Sequence, residues 1–388
     1  MTRALALVAA AAGIASAACG GSDATHTTPP TTPPADGPSW SAAADAAGET
    51  PEDASQDAPT VAAVPPVPEV WLRGSTHVHA KPSGDSTTPI PEVIRWYETH
   101  GYDFFVLTDH NQVSEIAKGN DTRGRPVLRD PTSGILVFAG TELTHNPRDC
   151  NPPGDATRSC RIHVNILGCT ARPGTKLDWA DRKSRDRVAK YQSALVAGKA
   201  LGGIAQMNHP NWHYGTTPDL LVELWRRGMQ LVEIANAQFP TWNAGDKDHP
   251  SLEALWDASL MRGATLWGVA SDDAHDYGPR GQYKAGGGWV VVRARREPQA
   301  VLDALAAGRF YASNGVVLAD ALPARGELVV EVARGEPGRY TIEFIENGAV
   351  AQRVAGTSAR RALPASGYVR AVVTRDDGKK AWVQPARR

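Results

Sequence analysis

Histidine and acidic residues recur in short motifs between residues 77 and 275, and their side chains are typical ligands of divalent metal ions. The motifs are His77-Val78-His79, Asp85, Asp109-His110, Glu142, His163, Asn208-His209-Pro210 and Asp272-Asp273-Ala274-His275. Each motif alone has an ordinary interpretation: a His-x-His is often a packing pair, and Asp109 could cap a helix. Together, imidazole and carboxylate groups suit zinc, manganese or iron, and the absence of cysteine from the motifs argues against a closed structural zinc site.

Most of these motifs directly follow short apolar runs that predict buried strands. The strands are predicted at 70–72, 104–107, 135–139, 161–168, 203–207, 231–234 and 266–270, and helices at about 91–100, 183–199, 251–262 and 297–307. Strands that alternate with helices predict a parallel α/β sheet. If that sheet closes into a barrel, the carboxyl ends of its strands share one rim, and residues far apart in the chain converge there. Because these candidate ligands are more than one metal ion can use, we expect two or three ions.

The ordered motifs between about Val70 and Gly315 resemble the PHP (polymerase and histidinol phosphatase) family. The matching segments are HVH, an Asp six residues later, LTDH, GTE, HVNILG, NHP and SDDAH. The resemblance implies a distorted (β/α)7 TIM-like barrel over residues 69–318 that holds a trinuclear metal site. Exported sequences of this type are also similar to carbaryl-hydrolysing metallohydrolases.

The same resemblance implies three ligand sets. The first metal is expected on His77, His79, Glu142 and Asp273; the second on Glu142, His163 and His209; the third on Asp85, His110 and His275. Asp85 stands where some branches have histidine, so the third site is the one at which this sequence departs from part of the family. Asp109 and Glu233 are expected to orient ligands from behind.

The catalytic residues are expected to include Glu142 and Asp273 as well as three residues outside the ligand sets. His213, four residues after His209, is a candidate general acid. Arg280 in a Gly-Pro-Arg-Gly loop and Arg309 are candidates for binding an anionic substrate. Either arginine could equally form a surface ion pair.

The N-terminus predicts export and attachment to a membrane. Residues 1–18 have a cationic start and an apolar run typical of a signal peptide, and Cys19 after small residues resembles a lipoprotein cleavage box. An ordinary secreted signal is the alternative. Residues 19–68 are rich in Pro, Thr and Ala without apolar periodicity, which predicts a disordered tether. We therefore expect a periplasmic or surface lipoprotein anchored by Cys19.

Composition and charge narrow the functional classes. The chain has 388 residues, 41% hydrophobic and 21% charged, as in globular proteins. Residues 1–68 hold one of 41 basic and seven of 42 acidic residues, so residues 69–388 carry a formal charge of +5. This mild charge suits a small anionic substrate, and we expect no nucleic-acid partner.

Two further features concern the cysteines and the C-terminal region. Cys150 and Cys160 bracket a Pro- and Gly-containing loop and are expected to form a disulfide, with Cys160–Cys169 as the alternative. Residues 319–388 contain runs that alternate with period two and predict a small antiparallel β domain.

Taken together, the sequence predicts an exported multinuclear metal-dependent hydrolase that uses a metal-activated hydroxide. Phosphate esters are the expected substrates, because most relatives implied by the resemblance cleave them. A carboxylester or carbamate hydrolase on the same metals is the first alternative. A non-catalytic envelope binding protein is the second, since a fold does not fix a function.

Overall fold

The computed structural model describes residues 67–116, 127–128 and 134–388. The predicted signal peptide, Cys19 and nearly all of the predicted tether lie outside these residues. The strands are β1 (Val70–Val78), β2 (Phe104–Leu107), β3 (Val127–Leu128), β4 (Leu136–His145), β5 (Ile162–Leu167), β6 (Ile204–Met207), β7 (Leu231–Asn236), β8 (Trp267–Ser271), β9 (Trp289–Ala294), β10 (Phe310–Ser313), β11 (Leu318–Asp320), β12 (Pro323–Ala324), β13 (Glu327–Val332), β14 (Tyr340–Glu346), β15 (Ala349–Ala355), β16 (Ser358–Ala362), β17 (Val369–Arg375) and β18 (Lys380–Ala386). The α-helices are α1 (Ile90–Thr99), α2 (Arg187–Leu201), α3 (Pro218–Arg226), α4 (Pro240–Ala244), α5 (Leu252–Met261) and α6 (Pro298–Ala306), and Lys81–Ser83 form a 3-10 turn.

The predicted (β/α)7 TIM-like barrel is wrong. The main element is a 14-stranded mixed sheet with the order β15-β14-β17-β18-β10-β9-β1-β2-β4-β5-β6-β7-β8, to which β3 adds beside β4. Only the pairs β1–β2, β2–β4, β6–β7 and β7–β8 are parallel among these ladders. Strands β5 and β9 are antiparallel to their neighbours on both sides.

The connections explain why two strands reverse. A parallel neighbour requires a crossover, usually a helix. The connection from β4 to β5 spans residues 146–161 and contains three prolines, which cannot continue a helix. The connection from β8 to β9 spans residues 272–288 and contains five glycines. Neither segment forms an α-helix. Strand β5 therefore runs antiparallel beside β4, the strand before it, and β9 runs antiparallel beside β1.

The sheet curls around an apolar cluster without closing. Leu72 of β1, Phe138 of β4 and Val269 of β8 belong to one buried cluster that α6 covers with Val301 and Leu305. Within this sheet, the first and last strands of the run from β1 to β8 meet through a single bridge between Val78 and Ala274. Because one bridge is not a ladder, the carboxyl ends of β1 and β8 come together while the sheet stays open.

The helices lie close to their predicted positions and have recognisable ends. In α2 the side chain of Asp186 accepts a hydrogen bond from the backbone of Val188, and Gly202 ends the helix in the left-handed conformation. Ser251 caps α5 in the same way through Ala254. The predicted helices near 91–100, 183–199, 251–262 and 297–307 are confirmed.

The C-terminal residues form antiparallel strands that divide between two sheets. Strands β14, β15, β17 and β18 extend the main sheet, in which β18 pairs with β10. Strands β11, β12, β13 and β16 form a separate sheet. The boundary at residues 318/319 stays a prediction.

A disulfide joins Cys150 and Cys160, as the sequence predicts, and Cys169 is a buried free thiol. In the part of the chain that the structure describes, no helix has the length and apolar character needed to cross a membrane.

Candidate metal centre

Glu142 lies at the centre of a buried cluster of histidines. Its side chain is 1% exposed, and its two carboxylate oxygens lie 2.8–3.6 Å from nitrogens of five imidazoles. These imidazoles belong to His77, His79, His110, His163 and His209. Five imidazole rings around one buried carboxylate are unusual in a protein core without a ligand, so the arrangement itself indicates a site for cations.

Two more carboxylates complete what we call the histidine–carboxylate cluster. Oδ1 of Asp273 lies 3.1 Å from Nε2 of His77 and 3.4 Å from Nε2 of His79. Oδ2 of Asp85 lies 2.8 Å from Nε2 of His110 and 3.2 Å from Nε2 of His275. The cluster comprises His77, His79, Asp85, His110, Glu142, His163, His209, Asp273 and His275, which are the nine predicted metal ligands.

Four overlapping groups in the cluster have ligand atoms within 4.8 Å of one another, and these groups could hold metal ions. They are His79/Asp85/His110/His275, His77/His79/Glu142, His77/His209/Asp273 and Glu142/His163/His209. Three of the four closely match the ligand sets that the resemblance implies. The groups follow one another along the cluster, from the fully buried Glu142/His163/His209 end to the partly exposed Asp85 end.

Strand edges bring the nine residues together. His77 and His79 lie two positions apart at the end of β1 and therefore face the same side. His110, His209, Asp273 and His275 follow the carboxyl ends of β2, β6 and β8. His163 is at the beginning of β5, and because β5 is antiparallel to β4, its beginning reaches the same edge.

Two of these positions have strained backbones. His209 has φ 27° and Asp273 has φ 46°, in the left-handed region that favours glycine. Strain of this kind persists where the surrounding structure enforces it, commonly at ligand sites.

Glu233 supports the cluster from behind. Its Oε1 accepts from Nδ1 of His77 at 2.7 Å and from Ser271 Oγ at 2.6 Å, and its Oε2 accepts from the backbone N–H of His209 at 2.6 Å. Asn208 donates to Glu142 Oε1 at 2.9 Å. These bonds fix ring orientation and tautomer, as the outer groups of metal sites do.

The carboxylates of the cluster are held ionised by their neighbours. Burial opposes ionisation of Glu142, but His110, His163 and His77 hold its pKa well below the usual value. Burial likewise opposes ionisation of Asp273, and His77, His79 and His275 lower its pKa. These carboxylates therefore require nearby positive charge.

The imidazoles of the cluster divide into two classes. Burial lowers the pKa of His79 to about 3, with His275 and His110 adding to the effect, and burial lowers the pKa of His163 to about 4. Burial also opposes protonation of His110, yet Glu142 and Asp85 raise its pKa to about 10. His79 and His163 are therefore neutral near pH 7, the form that binds a metal.

Unpartnered nitrogen atoms provide a direct test of the fit to metal. Nε2 of His77, Nε2 of His79 and Nδ1 of His209 are buried and make no hydrogen bond. Buried polar atoms without partners are rare and need an explanation. With Nδ1 of His77 bound to Glu233, the free Nε2 is the ligand atom expected in a carboxylate–histidine–metal arrangement. The residues present therefore fit divalent ions.

A cavity of about 180 Å³ opens onto the cluster. Asp85, His110, Glu142, His163, His209, Asp273 and His275 line it together with Trp212, Phe239 and Tyr283. Trp212 and Phe239 lie beside His209, with ring centroids 5.1 Å from it, whereas Tyr283 lies 5.5 Å from His275 at the other end. The described lining includes neither lysine nor arginine.

The three other catalytic candidates lie away from this lining. Nδ1 of His213 is 2.9 Å from Asp155 Oδ2, so its ring faces the connection between β4 and β5. Arg309 forms an ion pair with Glu69. Arg280 is exposed in the β8–β9 connection. None of the three is among the residues that line the cavity.

The remaining acidic candidates lie behind the cluster. Asp109 accepts from the backbone N–H of Ala80 at 2.8 Å, and so holds the turn after β1. Asp272 accepts from Ser75 Oγ at 2.6 Å and from Tyr97 OH at 2.9 Å. Asp273, rather than Asp272, points into the cluster.

Sequence reasoning missed the three aromatic lining residues and Asn146. Nε2 of His163 is 2.7 Å from Asn146 Oδ1. Trp212 lies three residues after His209, so an aromatic side chain in the loop after a predicted ligand was an available signal. Phe239 and Tyr283 have no comparable local signal, because their approach depends on how the loops fold.

No protein-family model and no curated protein matches the chain. The resemblance to the PHP family thus stays a prediction that depends on the motifs and their arrangement.

Proposed function

We propose that this protein is an exported, multinuclear metal-dependent hydrolase that cleaves ester bonds, with phosphate esters as its first substrate class. The single observation that carries the proposal is the convergence of nine histidine and carboxylate side chains, with buried unpartnered nitrogens, on an open cavity. A structural ion-pair network would use its lone pairs internally and would have no need for an opening.

Two or three divalent ions, zinc, manganese or iron, would be held by the overlapping ligand groups. Bound there, such ions would supply Lewis-acid character and lower the pKa of a water molecule towards neutrality. The chain itself fixes the ligand rings through Glu233 and Asn208 and keeps the deeper ligands away from bulk water. The cavity positions the ester against the cluster.

A second candidate, hydrolysis of carboxyl or carbamate esters, is favoured by the character of the lining. Trp212, Phe239 and Tyr283 form its apolar part, and the described lining has no cationic side chain for a phosphate. An uncharged aromatic ester matches such a surface well. Both candidates use the same ligands, so only substrates can separate them.

The deciding experiment measures nitrophenol release by the full chain loaded with manganese or zinc. The substrates are 4-nitrophenyl phosphate, bis(4-nitrophenyl) phosphate and 4-nitrophenyl acetate, and His209→Ala is the background. Phosphate cleavage well above that background supports the phosphoesterase, and preferential acetate cleavage supports the second candidate.

Two results would overturn the proposal. One is full metal content and normal turnover in His209→Ala. The other is no cleavage of any of the three esters by metal-loaded protein, which would favour the non-catalytic binding protein.

A further inference from the structure

Breaking an ester bond leaves negative charge on the departing oxygen, and a hydrogen-bond donor at that point lowers the barrier. The metal ligands are already engaged in the cluster. Of the three other lining residues, Phe239 has no donor, which leaves the indole N–H of Trp212 and the hydroxyl of Tyr283.

Trp212 is half-buried and packs against other rings at the deep end of the cluster. It meets His163 and His209 edge to face, with centroids 5.4 and 5.1 Å away, and packs 5.0 Å from Phe239. The guanidinium of Arg161 lies 4.1 Å from the centroid of its ring. These contacts assign Trp212 to packing against the deep end of the cluster.

Tyr283 has the opposite surroundings. Its side chain is 38% exposed at the cavity mouth, and its ring is 5.5 Å from that of His275. Its hydroxyl forms no hydrogen bond with any residue that the structure describes. A donor without a partner beside the open end of the cavity is available to a substrate.

The backbone of Tyr283 is nevertheless fixed to the segment that carries His275. Its carbonyl accepts from the backbone N–H of His275 and from that of Asp276, each at 2.9 Å. Its own N–H donates to Asp276 Oδ2 at 3.0 Å. The backbone that carries the Tyr283 side chain is therefore fixed relative to His275, which limits the hydroxyl to the positions that its side-chain rotamers reach from there.

We propose that Tyr283 is a catalytic residue whose hydroxyl donates a hydrogen bond to the leaving-group oxygen. This inference rests on the proposed hydrolase function. Water adds to the phosphorus or acyl carbon, and the bond to the leaving oxygen breaks with its electron pair on that oxygen. A proton from solvent then restores the alcohol, while Tyr283 keeps its own proton.

Leaving groups of different basicity test this role. The substrates are phenyl phosphate and 4-nitrophenyl phosphate; if the wild type cleaves only phosphodiesters or only acetates, the same two aryl groups are compared as diaryl phosphates or as aryl acetates. Phenolate concentrates more charge on oxygen than nitrophenolate does and depends more on the donor. Tyr283→Phe should lower kcat/KM for the phenyl ester about 100-fold and for the nitrophenyl ester less than about 3-fold, mainly through kcat.

Tyr214→Phe is the matched control, because Tyr214 is a half-buried tyrosine that stacks on His249 at 3.8 Å outside the cavity lining. It should leave both rates unchanged. Metal content and the midpoint of thermal unfolding are measured on each variant.

Equal losses on both leaving groups, no loss on the phenyl ester, or a fall in metal content in Tyr283→Phe would each overturn the role of Tyr283 and leave the hydrolase proposal standing. A wild type that cleaves none of these esters would overturn the hydrolase proposal and this inference with it.

Discussion

Two buried charged clusters in this molecule differ in how their charges are satisfied. Asp257 of α5 accepts two hydrogen bonds from the guanidinium of Arg370, at 2.7 and 2.6 Å, and one from Tyr368 OH at 2.6 Å. Its carboxylate is fully used within the protein. In the histidine–carboxylate cluster, by contrast, Nε2 of His77 and Nε2 of His79 have no hydrogen-bond partner and can offer a lone pair, whereas the buried nitrogen without a partner beside Asp257, Nη1 of Arg370, can only donate.

The difference separates a structural pair from a ligand site. The guanidinium of Arg370 neutralises the buried carboxylate of Asp257, and this ion pair joins α5 to β17. A buried group of carboxylates and imidazoles whose lone pairs meet at an opening has both the ligand atoms and the space for a bound cation. Burial and charge alone do not distinguish the two; the unused lone pairs do.

The strongest way to test this contrast is Glu142→Gln, which removes the shared carboxylate from the centre of the cluster. We expect metal affinity to fall more than about 100-fold and hydrolysis about 1,000-fold, because five imidazoles lose their common partner. Metal content by elemental analysis and the rate of nitrophenol release check this. Glu223→Gln, in a surface ion pair with Arg227, is the control, and normal metal content in Glu142→Gln would contradict the prediction.

Asp257→Asn should have the opposite effect: it should lower stability and leave metal binding unchanged. It leaves Arg370 buried without its counter-ion, so the free energy of unfolding should fall by about 3–5 kcal/mol. Metal content of the folded protein should not change. Denaturant unfolding measures the loss, and the double variant Asp257→Leu/Arg370→Met should recover part of it. Lost metal with unchanged stability would refute the distinction between the clusters.

Metal addition should stabilise one variant and not the other. Ligand at about 100 times its Kd adds about 2.7 kcal/mol to the free energy of unfolding when only the folded state binds it. Wild type and Asp257→Asn should gain this increment, and Glu142→Gln should not. Thermal unfolding with chelator and after metal is restored measures the gain; equal gains in all three proteins would locate the metal elsewhere.

Metal affinity should fall as the pH is lowered. Although burial opposes protonation, Glu142 and Asp85 raise the pKa of His110 to about 10, so the metal-free protein holds a proton there near neutrality. Protons and metal compete for this ring, so affinity should rise about tenfold per pH unit between about pH 6 and 8 for each displaced proton. Titration calorimetry in buffers of different ionisation enthalpy counts the protons, and a flat profile would exclude His110 as a ligand.

The smallest effects are expected at the two arginines that lie off the cavity. Arg280→Gln and Arg309→Gln should change kcat/KM less than about 2-fold, because neither side chain reaches the lining and exposed ion pairs contribute little. The same assays measure both variants. A large rise in KM for phosphate esters alone would restore the original role of these residues in binding the anion.

Much of the candidate site was predictable from local pattern. His77 and His79 face one side because strand residues alternate, and His110, His209 and His275 follow strands that their apolar runs predict. The helix ends at Asp186 and Gly202 likewise depend on nearby residues. Such features require only neighbours in sequence, so the sequence determined them.

The tertiary structure decided the direction of the strands and the surroundings of the site. The prediction of a closed barrel failed because β5 and β9 reverse, and strand direction depends on which distant backbone offers free hydrogen-bonding groups. Long-range contacts also turn His213 towards Asp155 and bring Tyr283 to the cavity mouth. The sequence alone determined which side chains could bind metal and in what order they occur. The fold of the loops alone decided which aromatic residues share their cavity, because pairing over long distances is fixed by packing rather than by local pattern.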